Sequence, residues 1–158
     1  MTNFEKVKEF NRAFEMRINE TPSRNIFTED PDNVKLALSL ITEEVKELQD
    51  AVQQHDFGEV RDAISDILYV VYGMADRFGI NADSDFDEVH SSNMSKLCNS
   101  EEEAQQTVDS YKKKFEAGTS PYDSPYYYKI EGKEKWIVKN KSTGKALKSI
   151  NYKAVNFN

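Results

Sequence analysis

The chain has 158 residues, 31% of them charged, and a formal net charge of -7. This composition is typical of one globular domain with its own core rather than of a disordered or membrane protein. The acidity argues against nucleic acid as a partner, because nucleic-acid-binding proteins usually present a basic face. An acidic protein can approach a phosphate ligand only through bound cations or a few placed lysines.

Cysteine usage and hydropathy bear on the location of the protein. Cys98 is the only cysteine, which excludes an intrachain disulfide and favours a reducing, cytoplasmic compartment. Residues 1–10 carry charges every few positions and do not resemble a signal peptide. No apolar run approaches the roughly 20 residues of a membrane span, so we expect no membrane partner.

Apolar residues at helical spacing predict five helices in the first 118 residues. Asp30 is the predicted N-cap of the second helix and Pro31 its first residue. The break before the third helix is short enough to force an antiparallel hairpin. Ser100 and Glu103 form a capping-box pattern at the start of the fifth. The predicted helices cover about residues 3–18, 31–54, 59–78, 84–98 and 101–118, with a polar loop at 19–29.

From residue 119 the composition changes to aromatic and β-branched residues. It predicts a small antiparallel meander with strands at 126–130, 135–140 and 146–149. So short a sheet is marginal alone and should pack on the helices or on a second subunit. The predicted fold is therefore mainly α: a bundle of four to five helices over residues 1–118, with a β extension over 119–158.

Two acidic stripes face each other across the predicted helical hairpin. Within an arc of about 100°, the second helix presents Glu43, Glu44 and Glu47. Within about 60°, the third presents Glu59, Asp62 and Asp66. Both stripes border apolar positions, and crowded carboxylates repel one another unless a cation or a proton compensates them. Oxygen donors without His or Cys favour Mg²⁺, with Mn²⁺ as a substitute, although a solvated charged face would show a similar pattern.

Three motifs in order resemble the all-α nucleoside triphosphate pyrophosphohydrolase superfamily. They are E-E-V-K-E at 43–47, D-A-I-S-D-I-L-Y-V-V-Y-G at 62–73 and E-V-H-S-S-N-M-S-K-L at 88–97. The superfamily includes the MazG proteins, dimeric dUTPases and phosphoribosyl-ATP pyrophosphohydrolase, and the chain is most similar to the last subgroup. G-K-A-L-K-S-I-N-Y at 144–152 resembles the tail of that subgroup.

The family's second motif, E-x-x-D, has two possible registers here. Glu59 and Asp62 match it literally, whereas the longer match places its aspartate at Asp66 and leaves Ala63 where the glutamate belongs. We prefer the second register, in which Asp62 replaces the missing carboxylate.

The resemblance implies roles for nine residues, and the acidic ones could exchange theirs. The implied metal ligands are Glu44, Glu47, Asp62 and Asp66, with Glu43 as the candidate base. The implied substrate-binding residues are Asn93 and Lys96 at the phosphates, and Asn11 and Phe14 beside the base.

The implied reaction is attack by metal-activated water on a nucleoside triphosphate, releasing a monophosphate and pyrophosphate. A deoxynucleotide or non-standard nucleotide, dUTP and phosphoribosyl-ATP all remain open as substrates. The resemblance also implies a homodimer or homotetramer.

Two other classes compete with this interpretation. A carboxylate-bridged dimetal bundle normally needs E-x-x-H, but Val52 and Asp87 precede His55 and His90 by three residues. The other is a non-catalytic helical interaction module with purely solubilising acidic stripes.

Overall fold

The computed structural model describes residues 1–157, which contain six helices and two strands. The helices are α1 (Asn3–Ala13), α2 (Ile26–Glu29), α3 (Pro31–Gln53), α4 (Phe57–Phe78), α5 (Ala82–Met94) and α6 (Glu101–Glu116). The strands are β1 (Pro125–Lys129) and β2 (Trp136–Asn140). The chain divides within α5 into two compact units, Met1–Asp85 and Phe86–Asn158. The mainly helical fold with a small antiparallel sheet is confirmed.

The first unit is built on the hairpin of α3 and α4, with α1 packed against α4 and α2 against α3. The Asp56 side chain caps α4 by accepting a hydrogen bond from the Glu59 amide at 3.1 Å. The predicted hairpin is confirmed. The Asp30 side chain makes no capping bond at the start of α3, and it instead forms an ion pair with Arg17 at 2.6 Å.

The segment between α1 and α3 differs from the prediction. α1 ends at Ala13 because Glu15 adopts a left-handed conformation, with φ at 53°, and the Met16 amide closes the end on the Asn11 carbonyl at 2.8 Å. The predicted continuation to residue 18 is therefore wrong. The predicted loop contains α2, a single turn that buries Ile26, at 1% exposure.

Gly79 ends α4, as predicted, in a left-handed conformation with φ at 72°. A Cβ at this position would lie 2.0 Å from the Thr21 carbonyl oxygen. The close approach of the two backbones requires glycine.

The second unit packs the β-hairpin against α6. The buried core beneath it consists of Cys98, Ala104, Val108, Trp136, Val138 and Leu147. Ser100 caps α6 by accepting a hydrogen bond from the Glu103 amide at 3.1 Å, as its sequence pattern predicted. The Glu103 carboxylate accepts from the Asn99 amide at 3.2 Å, one residue before the predicted partner.

The sheet has two strands, with Tyr127 opposite Val138 at its centre. The predicted third strand is reduced to an isolated bridge between Lys139 and Ala146. After that bridge the chain turns to the side chains of α6, because the Ile150 amide donates to Thr107 Oγ1 at 3.1 Å. Further strand pairing beyond the bridge would break the hydrogen bond between Ile150 and Thr107.

Among the described residues, no helix combines the length and apolar character needed to cross a membrane.

Candidate carboxylate site

The packing of α3 against α4 brings carboxylates from both helices together. Glu44 on α3 and Asp66 on α4 are half-buried, whereas Glu43 and Glu47 are exposed at the edge of the hairpin. Glu43 and Glu44 are adjacent but point about 100° apart on the helix, so they enter different surroundings. The site therefore has two half-buried carboxylates, one from each helix, and two exposed ones beside them.

Of the carboxylates at this site, Glu44 has the least favourable surroundings for a negative charge. Its Oε2 atom is buried, and within residues 1–157 it is the one such side-chain oxygen or nitrogen with no hydrogen-bond partner. Burial raises the pKa of the Glu44 carboxyl, with the negative charge of Glu47 as the next cause. The charges of Asp66 and Glu43 act in the same direction. The site thus favours a proton or another cation at Glu44.

Carboxylate oxygens are the ligands that a hard divalent cation such as Mg²⁺ prefers. The partnerless Glu44 oxygen is the atom that most needs a cation. Within residues 1–157, however, no three His, Cys, Asp or Glu side chains converge closely enough to form a metal site. The charge and chemistry fit such an ion, and the side chains would have to close around it.

Two candidate residues in the first part of α4, Glu59 and Asp62, are exposed and do not join the half-buried Glu44. Asp62 is exposed in a surface hollow with Gly58, Arg61 and Ser65. It is not among the charges that raise the pKa of Glu44, whereas Asp66 is. Glu59 is exposed in the first turn of α4. Asp66 is thus the α4 carboxylate whose charge reaches Glu44.

The two residues proposed beside the base occupy different surroundings. Asn11 is buried, and its side-chain amide donates to Asp76 Oδ2 at 3.0 Å. Phe14 is 63% exposed and stacks on Phe10 with ring centroids 4.3 Å apart. Phe10 in turn meets the ring of Tyr69 edge-on at 5.6 Å. An aromatic surface is available at Phe14, whereas the Asn11 amide is engaged in the interior.

Sequence reasoning missed the polar interior to which Asn11 belongs. The Arg77 guanidinium is buried and donates to Asn33 Oδ1 at 2.6 Å, and the Asn33 amide donates to the Arg17 carbonyl at 3.2 Å. Burial lowers the pKa of Arg77. The available signal was the D-R pair at 76–77, directly after the apolar run that ends at Ala75. These bonds fix α3 and α4, which carry the carboxylates.

Asn93 and Lys96 belong to the second unit. Asn93 is exposed near the end of α5, and Lys96 is half-buried in the turn that follows. Both line a groove that also contains residues of the β-hairpin.

The helical hairpin and its acidic motif are typical of the all-α nucleoside triphosphate pyrophosphohydrolases. The family model of phosphoribosyl-ATP pyrophosphohydrolase matches residues 7–93. The chain belongs to this family, which is part of that superfamily. Membership implies a nucleotide pyrophosphohydrolase.

The chain is also similar to an uncharacterized protein of Acanthamoeba polyphaga mimivirus. The two are 31% identical over an alignment 239 positions long, gaps included, which covers 99% of this chain and 94% of the viral protein. The similarity therefore extends beyond the residues that match the family.

Proposed function

We propose that this protein hydrolyses a nucleoside triphosphate, a deoxynucleotide or a non-standard nucleotide, to the monophosphate and pyrophosphate with a divalent cation. The observation that carries the proposal is the buried, partnerless Oε2 of Glu44, next to the charges of Glu47 and Asp66. Such a group is costly in a merely structural role, because folding would favour an apolar or hydrogen-bonded residue there. Carboxyls whose pKa is raised by burial and by like charges are found preferentially at functional sites.

The residues would divide the work according to their exposure. Glu44 and Asp66, which are half-buried, would hold the cation together with Glu47. Asp62 is a weaker candidate ligand because it is exposed in its own hollow. Glu43, exposed beside them, is the proposed base that orients or deprotonates water. When bound, Mg²⁺ or Mn²⁺ would neutralise phosphate charge and lower the pKa of water.

Asn93 and Lys96 remain the proposed phosphate contacts, and Phe14 the proposed contact of the base. Asn11 is a weaker substrate contact than Phe14, since its amide already has an internal partner in Asp76. Phosphoribosyl-ATP and dUTP remain the specific alternatives to a broader deoxynucleotide substrate.

We also propose that the protein is a homodimer or homotetramer. On each of the two hairpin helices, α3 and α4, a stripe of apolar side chains is 38–56% exposed to solvent. On α3 the stripe has a seven-residue spacing, and on α4 a four- and three-residue spacing. Its residues are Leu38, Val45 and Val52 on α3, and Ile64, Leu68 and Val71 on α4. Exposed apolar stripes of this kind are typical of a surface that is covered in an oligomer. We retain the cytoplasm as the proposed location, on the grounds of the lone Cys98.

Pyrophosphate release tests the proposal. The protein is incubated with Mg²⁺ and a panel of canonical and modified nucleoside triphosphates and phosphoribosyl-ATP, and the products are identified. We expect a monophosphate and pyrophosphate in equal amounts, and a rate that Glu47→Gln lowers by at least roughly a hundredfold, as for loss of a metal ligand. Glu9→Gln, an exposed glutamate on α1, is the matched control and should retain the wild-type rate.

The outcome distinguishes the candidate functions. Cleavage confined to dUTP or to phosphoribosyl-ATP would select that alternative. No cleavage of any nucleotide would favour the non-catalytic interaction module. A rate unaffected by Glu47→Gln would mean that cleavage does not depend on this carboxylate, and would refute the proposed site.

A further inference from the structure

The C-terminal tail, residues 149–156, runs from α6 to α5 without pairing as a strand. It begins on α6, where the Ser149 hydroxyl donates to the Glu103 carboxylate and the Ile150 amide donates to Thr107 Oγ1 at 3.1 Å. From Tyr152 onward, the side chains that bond to the tail belong to α5 and to the turn that follows it. The tail therefore connects the two helices of the second unit.

Two serines at the end of α5 hold the backbone of the tail at Lys153. Ser92 is 5% exposed, and its hydroxyl donates to the Lys153 carbonyl at 2.8 Å while it accepts from the Tyr152 hydroxyl at 3.0 Å. The Lys153 amide donates to Ser95 Oγ at 2.9 Å, and the Ser95 hydroxyl donates in turn to the Ser92 carbonyl at 2.6 Å. Both backbone polar groups of Lys153 are thus bonded to this part of the chain.

The same face of α5 is held one turn earlier. The Asn156 amide donates to Glu88 Oε1 at 3.0 Å, and Glu88 precedes Ser92 by four residues. Among the described residues of the second unit, the β-hairpin packs extensively against α6, whereas no comparable packing holds α5. The next fixed point along the chain is the bridge between Cys98 and Trp136. The tail is therefore the main support of residues 88–95 within this unit.

The two proposed phosphate contacts lie inside this supported segment. Asn93 directly follows Ser92, and Lys96 directly follows Ser95. Lys96 lies beyond the last residue of α5, in a turn whose backbone could otherwise open locally. A contact that is in position before the substrate arrives loses less conformational entropy on binding.

We infer that the tail positions Asn93 and Lys96 by fixing the end of α5, and that Ser92 and Ser95 are the positioning residues through which it acts. The inference rests on the proposed function for what these two side chains bind. It assigns a role to residues 149–156, beyond positions 7–93, where the family match ends. Because the tail supports phosphate contacts and not the carboxylates, it should affect the binding of substrate more than the chemical step.

Hydrogen exchange tests the support itself without any nucleotide. The variant is a chain that ends at Asn151, and the matched control is a chain that ends at Asn156, which keeps every bond described above. In the shorter chain we expect the amides of residues 88–96 to exchange at least roughly tenfold faster, because this segment opens locally without the tail. The amides of α3 should keep their wild-type rates, and thermal unfolding checks that both chains fold.

Steady-state kinetics with Mg²⁺ and the best-cleaved nucleotide test the consequence. Ending the chain at Asn151 should raise KM roughly three- to tenfold, the cost of ordering one or two side chains on binding, and should leave kcat within about twofold. If the tail only stabilised the fold, part of the protein would be inactive, so the apparent kcat would fall and KM would stay unchanged.

A pair of substitutions at Ser95 gives an answer if the shortened chain does not fold. Ser95→Ala removes the acceptor of the Lys153 amide and should raise both KM and the exchange rates of residues 88–96. Ser95→Thr keeps a hydroxyl and should restore both towards the wild type.

Failure of the inference and failure of the proposed function give different results. Wild-type exchange of residues 88–96 in the chain that ends at Asn151 would overturn the inference, and so would faster exchange with an unchanged KM. If the wild type cleaves no nucleotide, the proposed function fails, and the dissociation constant of an α,β-imido deoxynucleoside triphosphate replaces KM in the same comparison. A wild type that neither cleaves nor binds a nucleotide would overturn both.

Discussion

Replacing Glu44 by glutamine should stabilise the metal-free protein at neutral pH while it abolishes activity. The buried Oε2 of Glu44 has no partner, and a buried polar group in that condition costs about 1–3 kcal/mol. Glutamine removes the charge and supplies an amide that can donate to neighbouring carboxylates. We expect the free energy of unfolding to rise by about 1–2 kcal/mol, which corresponds to roughly 2–8 °C in Tm.

The pH dependence of this effect has a definite sign. Burial and the charges of Glu47, Asp66 and Glu43 raise the pKa of Glu44 in the folded chain above its ordinary 4.5. The folded chain therefore holds this proton more tightly than the unfolded chain does. Below pH 4.5, burial of the Glu44 carboxyl lowers the free energy of unfolding only a little. As the pH rises from 4.5 through the folded-state pKa, the free energy of unfolding falls. The stabilisation by Glu44→Gln should grow over the same range.

Urea unfolding in EDTA, at pH 4 and at pH 7.5, measures both effects. Glu9→Gln serves as the control for loss of an exposed carboxylate. Adding Mg²⁺ at pH 7.5 should stabilise the wild type and leave Glu44→Gln nearly unchanged. The reasoning is refuted if Glu44→Gln is less stable than the wild type at pH 7.5 in EDTA, or if its advantage is the same at both pH values.

Three further predictions concern the framework of the site. Gly79→Ala should lower the free energy of unfolding by more than about 2 kcal/mol, because a Cβ meets backbone at a left-handed position. Asn11→Ala should lower it by about 1–3 kcal/mol, because Asp76 loses its buried donor. Leu68→Glu should shift sedimentation towards the 18.2 kDa chain, because it charges the exposed stripe of α4.

Each of these predictions has a control or a contrary outcome. Gly58→Ala, in the first turn of α4 where an added Cβ would meet Asp56 Oδ1 at an ordinary contact distance of 3.4 Å, should be neutral or slightly stabilising in the same urea series. If Asn11→Ala keeps full stability but raises the KM for nucleotide, Asn11 contacts substrate after all. If the wild type is an oligomer and Leu68→Glu sediments in the same way, a different surface forms the oligomer. If the wild type itself sediments as a single 18.2 kDa chain, the proposed assembly is contradicted.

Much of the fold was predictable because its signals are local. The bounds of α3 and α4 follow from periodicity, from Pro31 at the first helical position and from Gly79 after the last, and the structure agrees to within two residues. The end of α1 was not predictable in the same way. Helical spacing continues past Ala13, and the left-handed Glu15 satisfies the helix end only in the context of the chain that follows it.

The third strand shows how tertiary contacts override local propensity. Residues 146–149 have the composition of a strand, but Ser149 and Ile150 instead bond to the side chains of Glu103 and Thr107 on α6. Those partners are more than 40 residues away in the chain. No pattern within the segment could indicate that they would compete with the sheet.

The sequence by itself determined that two consecutive helices each carry an acidic stripe and that the chain has the family's motifs in order, because both depend on residue type and spacing. Only the tertiary structure determined which carboxylate is removed from contact with solvent. The rotation of α3 against α4 buries one oxygen of Glu44 near Asp66, and leaves Glu43, Glu47 and Asp62 in solvent. The cost of a charge depends on what surrounds it, and that is set by packing between helices rather than by position along either one.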